Sequence, residues 1–367
     1  MHKVIEIICK NSPHLSWIEN NTILLARHGS RAYGTHNENS DEDFKGVAVP
    51  TKKYFHGFSL NFEQAILSDP NPDTVIYGVK KFFQLATQCN PSLLEMLFAS
   101  DEDIIINNKF GQIIIDNRNL FLTKKARFTF GGFAHNQLKR IKLHRGFLLN
   151  PPKGKPERKS FGLEERTQIP TSQLTAAKSE INKSLDKLNF KFLDALDEAQ
   201  KIEVKNSVID LLSDFKIYSD QQYEAMARKI GFDDNIIEIL KKERSYDQAK
   251  RDYDNYNTWK KNRNEKRSED EAKFGYDCKH AYHLIRLLRM GSEILSEGKV
   301  LVKRPDYEEL VYIRNGGWTY DQLIEESEKI EAQMPELYEK STLPKTPNLN
   351  KINNICSDLV EEHLSQQ

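Results

Sequence analysis

The sequence predicts an α/β (α+β) unit with a small mixed β-sheet, followed by a mainly α-helical part. Three observations lead there. Up to about residue 118, short apolar and β-branched runs alternate with turn residues. Beyond residue 120, apolar residues recur at helical spacing over long stretches. Proline-containing breaks fall at residues 68–72, 150–156 and 343–347. Alternating strand and helix signals mark a sheet with helices on it, and sustained 3.6 periodicity marks helix on helix.

The elements follow in order. Residues 21–26, NTILLA, read as a first strand, and residues 43–49, DFKGVAV, as a second. Residues 68–72, SDPNP, form a turn. Residues 73–86 begin β-branched (DTVIY) and end helical, with Val79, Phe82, Phe83 and Ala86 at i, i+3, i+4 and i+7. Asn90-Pro91 supplies an N-cap and a first-turn proline for the helix SLLEMLF. Helical patterns then cover 126–149, 171–188, 194–218, 221–230, 276–296 and 321–339. The domain boundary therefore falls near residue 120, giving units 1–120 and 121–367. Segment 241–273 holds 11 basic and 8 acidic residues, so it reads as a solvated helix laced by i,i+4 pairs. Its aromatics Tyr246, Tyr253, Tyr256 and Trp259 also allow a nucleic-acid-facing arm.

Composition removes several classes. With 367 residues, 38% of them apolar, and 19 Phe, 14 Tyr and 3 Trp, the chain can bury a sizeable core and is not globally disordered. No apolar run approaches the ~20 residues that span a bilayer, so no membrane association is expected. The N-terminus lacks a signal-peptide core, and the cysteines Cys9, Cys89, Cys278 and Cys356 form no CxxC pair. A cytoplasmic, reducing setting is the expectation. The 54 basic and 54 acidic residues sum to zero, which argues against indiscriminate coating of nucleic acid but not against local patches. Nothing in the sequence fixes an oligomeric state.

The chemistry concentrates in residues 27–49, RHGSRAYGTHNENSDEDFKGVAV. A strand runs into Gly29-Ser30 and a short helix. Glycine lets the backbone turn and approach a ligand, and a helix start offers free N–H groups, so this is a cradle for a triphosphate. Ser40-Asp41-Glu42-Asp43 then enters a strand, where alternation turns Asp41 and Asp43 to the same side. Two unpaired carboxylates on one face repel each other unless a divalent cation lies between them. Hard oxygen ligands suit Mg²⁺ or Mn²⁺. A phosphate cradle beside such a site points to phosphoryl or nucleotidyl transfer.

The order strand, Gly-Ser, short helix, D-x-D on a strand resembles the signature of the polymerase-β-like nucleotidyltransferase superfamily. More closely, the chain resembles the bacterial and phage branch of predicted nucleotidyltransferases of RNA repair pathways. Residues 77–98, 276–288 and 294–314 carry that closer likeness. It implies that Gly29 and Ser30 hold the β- and γ-phosphates of an incoming NTP. Arg27, His28, Arg31 and Lys45 lie close in sequence and either touch phosphate, Arg31 being taken as the NTP-binding one, or stay solvated at the surface. The resemblance also implies that Asp41 and Asp43 hold Mg²⁺, with a third acid from a neighbouring strand that helps to activate the attacking hydroxyl. Asp73, which opens the run DTVIY, is the choice for that acid, and Glu63 is its rival.

A second basic feature lies on the helix near residue 280. Lys279, His283, Arg286 and Met290 fall at i, i+4, i+7 and i+11, on one side. Lys279, His283 and Arg286 either reach nucleotide phosphates or form a surface stripe paired with Glu293 or another acid. Basic faces at residues 135–145 and 153–159 read by default as solvated surface, with tracking of an RNA backbone as the alternative. The expected activity is therefore metal-dependent transfer of an NMP from an NTP to a hydroxyl acceptor, most simply a tRNA-like RNA end. The alternatives are transfer to a protein or small molecule, or a non-catalytic nucleotide-binding module. The last would carry a damaged metal pair, whereas Asp41 and Asp43 are both intact.

Overall fold

The computed structural model describes residues 2–38, 40–68, 72–166, 172, 175–176, 179, 224–225, 227–229, 233–263 and 265–366. The chain divides into two compact units, residues 1–142 with 274–367, and residues 143–273.

The first unit is built on a five-stranded mixed sheet. Helix α1 (Lys3–Asn11) precedes β1 (Thr22–His28), which runs directly into the short helix α2 (Gly29–Tyr33). Then come β2 (Asp43–Ala48), β3 (Gln64–Leu67) and β4 (Thr74–Gly78). Helices α3 (Val79–Ala86) and α4 (Pro91–Leu97), strand β5 (Ile104–Asn107) and helix α5 (Lys109–Asp116) complete the sheet region. The strand order is β3-β4-β2-β1-β5. Only β2 and β4 pair in parallel, with Phe44 opposite Thr74; the other neighbours are antiparallel.

Period-2 alternation divides the sheet into two apolar faces. Leu25, Phe44, Ala48 and Ile76 pack with Val4, Ile5 and Ile8 of α1 on one face. Leu24, Ala26, Val47 and Tyr77 turn to the other, where a larger helical core lies. The long helix α6 (Ala126–Leu149) matches the sequence reading. Asn90 caps α4 as expected, its side chain accepting the Ser92 N–H.

The sequence reading did not find β3 or β5. Both are four residues long and sit at the sheet edges, too short to show a period even where, as in β5, the residues are β-branched. The helices expected at 171–188, 194–218 and 221–230 lie largely outside the described residues.

In the second unit, the charged segment forms α7 (Asp234–Asn262) and α8 (Glu265–Phe274). Three of its four aromatics turn toward their own unit: Tyr256 and Trp259 both lie 5.4 Å from the Phe147 ring, and Tyr246 5.7 Å from Phe161. Two buried glutamates, Glu243 and Glu271, take Arg158 and Arg263. These rings and charges are engaged within the unit, which fits a packed helix better than an open arm.

The chain then returns to the first unit with α9 (Cys278–Glu297), α10 (Tyr307–Arg314), α11 (Tyr320–Lys340) and α12 (Leu349–Ser365). Asp277 caps α9 by accepting the His280 N–H, and α11 begins with a full capping box between Thr319 and Gln322. Among the described residues no helix is long and apolar enough to cross a membrane.

Candidate active site

The site lies at one end of the sheet, where β1 ends and its neighbour β2 and the next strand β4 begin. Antiparallel pairing places His28, the last residue of β1, opposite Asp43, the first of β2. Parallel pairing of Phe44 with Thr74 sets Asp73 beside Asp43, and the Phe44 N–H donates to the Asp73 carbonyl at 2.9 Å. Residues 43, 45 and 47 share a strand face, as do 73, 75 and 77, so both aspartates look toward the helical core side.

Gly29 closes the corner. Its φ is +71°, in the left-handed region that glycine enters freely. A Cβ at this position would stand 2.0 Å from Asp43 Oδ2. The Gly29-Ser30 turn and the Asp43 carboxylate therefore touch, and no side chain fits between them. The turn is held from behind: the Thr35 N–H donates to the Ser30 carbonyl at 2.9 Å, and Gly34 ends α2 with φ +76°. Arg31 reaches forward, donating from Nη2 to the Ser40 carbonyl at 2.9 Å, so α2 is tied to the loop that carries Asp41.

The electrostatics follow from this convergence. Burial pushes the Asp43 carboxyl up, and the nearby charges of Asp73 and Asp41 push it further; Lys279 and Lys45 oppose them. Asp41 and Asp73, both singled out from the sequence, thus bear on Asp43, with Lys279 of α9 close enough to be felt. Glu63 lies elsewhere. Its carbonyl accepts the N–H of Gly78, five residues along from Asp73, or roughly 16 Å at the rise of a strand. Its carboxylate pairs with Lys81 at 3.2 Å.

The rest of the basic set divides. Lys279 is exposed, and its charge reaches Asp43. His283, one turn further, has its imidazole pKa pushed well below the usual value by burial and by Arg286 and Lys279, so it is neutral at pH 7. Arg286 lies beneath the site. It is 4% exposed, its Nη1 donates to Glu95 Oε1, and its guanidinium stacks 3.9 Å over the Tyr33 ring. Of the two readings of this stripe, the pairing of Arg286 is with a buried acid, Glu95; Glu293 pairs instead with Arg304. Lys45 feels both Glu95 and Asp43; burial pulls its ammonium pKa down against the pull of these acids.

Glu95 was missed by sequence reasoning. It sits in SLLEMLF, 3% exposed, among Leu93, Leu94, Met96 and Leu97, which are all buried. The available signal was a carboxylate in a helix with no polar face to carry it. Burial alone would raise its pKa, but Arg286 and His28 outweigh that and hold it well below the carboxylate range.

Comparison with known proteins now bears on this geometry. Residues 5–147 match the model of the RNA repair pathway DNA polymerase beta family, RlaP. The segment is RlaP-like. The match takes in the sheet, the Gly29-Ser30 turn and all three aspartates, and it relates this part of the chain to polymerase-beta-type nucleotidyltransferases tied to RNA repair. An uncharacterized 38.9 kDa protein from the nrdC-mobD intergenic region of enterobacteria phage T4 is 29% identical over 127 residues, 32% of this chain. The chain spans 37% of that relative's length. No solved structure matches.

The raised Asp43 carboxyl gives a testable pH dependence. Between the ordinary aspartate value and the raised one, the folded RlaP-like segment binds more protons than the unfolded chain. Stability of the metal-free protein then falls as pH rises through that window. Asp43→Asn is expected to flatten the fall in thermal melts taken from the carboxylate range upward. Mg²⁺ or Mn²⁺ is expected to raise the wild-type midpoint at neutral pH and to leave Asp43→Asn unmoved. An equal shift in both proteins would place the cation elsewhere.

Proposed function

We propose that the chain is a divalent-metal-dependent nucleotidyltransferase that moves an NMP from an NTP to a hydroxyl on an RNA end, releasing pyrophosphate. The observation that carries this reading is the contact between the Gly29-Ser30 turn and Asp43 where Asp41 and Asp73 converge. The donor set is all carboxylate oxygen, with like charges crowded together, which fits Mg²⁺ or Mn²⁺ rather than zinc. Asp41, Asp43 and Asp73 would hold the metal, which when bound supplies Lewis-acid polarisation of phosphate and lowers the pKa of a bound hydroxyl.

The chain's own residues do the rest. The Gly29 and Ser30 backbone, bare of a side chain at residue 29, lies against the phosphates. Asp73, immediately before β4, takes the proton of the attacking hydroxyl in this reading. That hydroxyl oxygen attacks the α-phosphorus in line, a P–O bond forms, and the bond to pyrophosphate breaks. Lys279 offsets charge on the departing pyrophosphate. His283, being neutral, contributes a hydrogen bond rather than a charge. Arg286 shapes the site from below through Glu95 and Tyr33.

The family relationship of residues 5–147 to RNA repair favours an RNA acceptor. The test is a labelling survey with each α-labelled NTP, Mg²⁺ or Mn²⁺, and separate pools of RNA, protein and small metabolites. Label is expected on RNA, with binding that weakens as salt rises. Label on protein or metabolite alone would replace the acceptor, and release of γ-phosphate alone would replace the reaction.

A further inference from the structure

We infer that Glu95 is a positioning residue for the Gly29-Ser30 turn, a role that rests on the transferase reading and extends it to a buried carboxylate away from the reacting atoms. Glu95 Oε2 accepts the Tyr33 hydroxyl at 2.6 Å and lies 3.0 Å from Nε2 of His28, a buried imidazole whose pKa burial pushes down, so the contact is to a neutral ring. His28 is the last residue of β1, and Tyr33 is the last of α2. One carboxylate oxygen therefore meets both ends of the segment whose first two inner residues are Gly29 and Ser30. The other oxygen takes Arg286, whose guanidinium covers the Tyr33 ring and fixes the ring that carries the hydroxyl.

Packing alone does not call for this arrangement. Taking a carboxylate and a guanidinium out of water is costly, and apolar residues of like volume pack as well or better. The neighbours Leu93, Leu94, Met96 and Leu97 already anchor α4 in the core. What the charged group adds is direction. Gly29 lies so close to Asp43 that a Cβ would collide with the carboxylate, so a drift of the turn toward β2 would press on Asp43. A carboxylate held by helix α4 and helix α9 at once ties the turn to two rigid elements. A catalytic constellation needs its parts fixed to well within an ångström.

Two variants test this. Tyr33→Phe deletes one hydrogen bond and keeps the ring under Arg286. Glu95→Gln keeps the shape and removes the charge. Each is assayed in the full chain with Mg²⁺ and each of ATP, GTP, CTP and UTP, and hydrogen exchange is followed for the amides of residues 29–35. The expected result is an NTP KM raised on the order of tenfold. Amide exchange over 29–35 is expected to quicken by a similar factor while β1 and β2 amides keep their rates. A loss of folded protein alone lowers apparent kcat and leaves KM unchanged, and that result overturns the role. Unchanged exchange in both variants also overturns it. If Glu95→Gln does not fold, Tyr33→Phe decides alone. If the wild type transfers nothing, the transferase reading falls together with the nucleotide part of the role, and exchange alone then decides whether Glu95 braces the turn.

Discussion

Asp41→Asn combined with Asp43→Asn is expected to lower nucleotidyl transfer by at least on the order of 10³-fold while the chain stays folded. The reason lies in what each carboxylate is attached to. Asp41 is exposed, and Asp43 stands at the first position of β2, so neither anchors the sheet. Asparagine keeps the shape and removes the charge. Crowding among Asp41, Asp43 and Asp73 is then relieved, and the metal-free fold is expected to gain stability rather than lose it. Function and stability move in opposite directions, which separates a damaged site from a damaged fold. Transfer rates and melts on the same preparations check both. A double variant that keeps its rate would remove the metal assignment.

Gly29→Ala is expected to cost both stability and activity, and Gly34→Ala stability alone. Both glycines have positive φ, at +71° and +76°, so alanine at either place carries the left-handed penalty of roughly 1–2 kcal/mol. Their surroundings differ. At Gly34 the nearest atom to a new Cβ is Tyr307 Cβ at 3.9 Å, an ordinary contact. At Gly29 it is Asp43 Oδ2 at 2.0 Å, so the carboxylate must move away. A shift of about 1 Å in a reacting group costs on the order of 10²-fold in rate. Transfer rates for the pair, set beside urea unfolding, isolate that term, because the backbone strain is common to both. Equal activities would mean that the contact between the turn and Asp43 is unimportant.

The fold was legible where local signals were long. The runs at 21–26, 43–49 and 73–77 became β1, β2 and β4, and the periodic segment at 126–149 became α6. The edge strands β3 and β5 were not legible, since four residues give no measurable period. The acidic pair stood out through the order strand, Gly-Ser, short helix, D-x-D; strand alternation does not account for Asp41, because β2 begins only at Asp43. The neighbourhood of Asp73 was not legible: it depends on the parallel register of β2 with β4, which no local pattern encodes. The same register leaves Glu63 at the far end of β4. The basic stripe on α9 was visible as a stripe, but not its division into an exposed Lys279 and a buried Arg286. That division is set by Glu95, more than 180 residues earlier in the chain, which helical periodicity cannot connect.

The loops around the site are stapled by side chains that the sequence scatters widely. Arg304 is buried, donates to both oxygens of Glu293 and to Asp306, and its N–H reaches the Tyr33 carbonyl. Arg314 donates to the Thr35 carbonyl at 2.8 Å. The C-terminal helices therefore hold the end of α2, which gives a physical reason why residues beyond the RlaP-like segment matter to a site whose acids all lie within it.

The central claim is that the acids at the end of β1, β2 and β4 drive nucleotidyl transfer. The most direct measurement follows the α-label of each NTP into RNA with Mg²⁺ or Mn²⁺, comparing wild type with Asp43→Asn. The expected result is divalent-dependent, acceptor-linked label with stoichiometric pyrophosphate in the wild type, and none in the variant. Label that forms without a divalent cation, or that persists undiminished in Asp43→Asn, would contradict the claim.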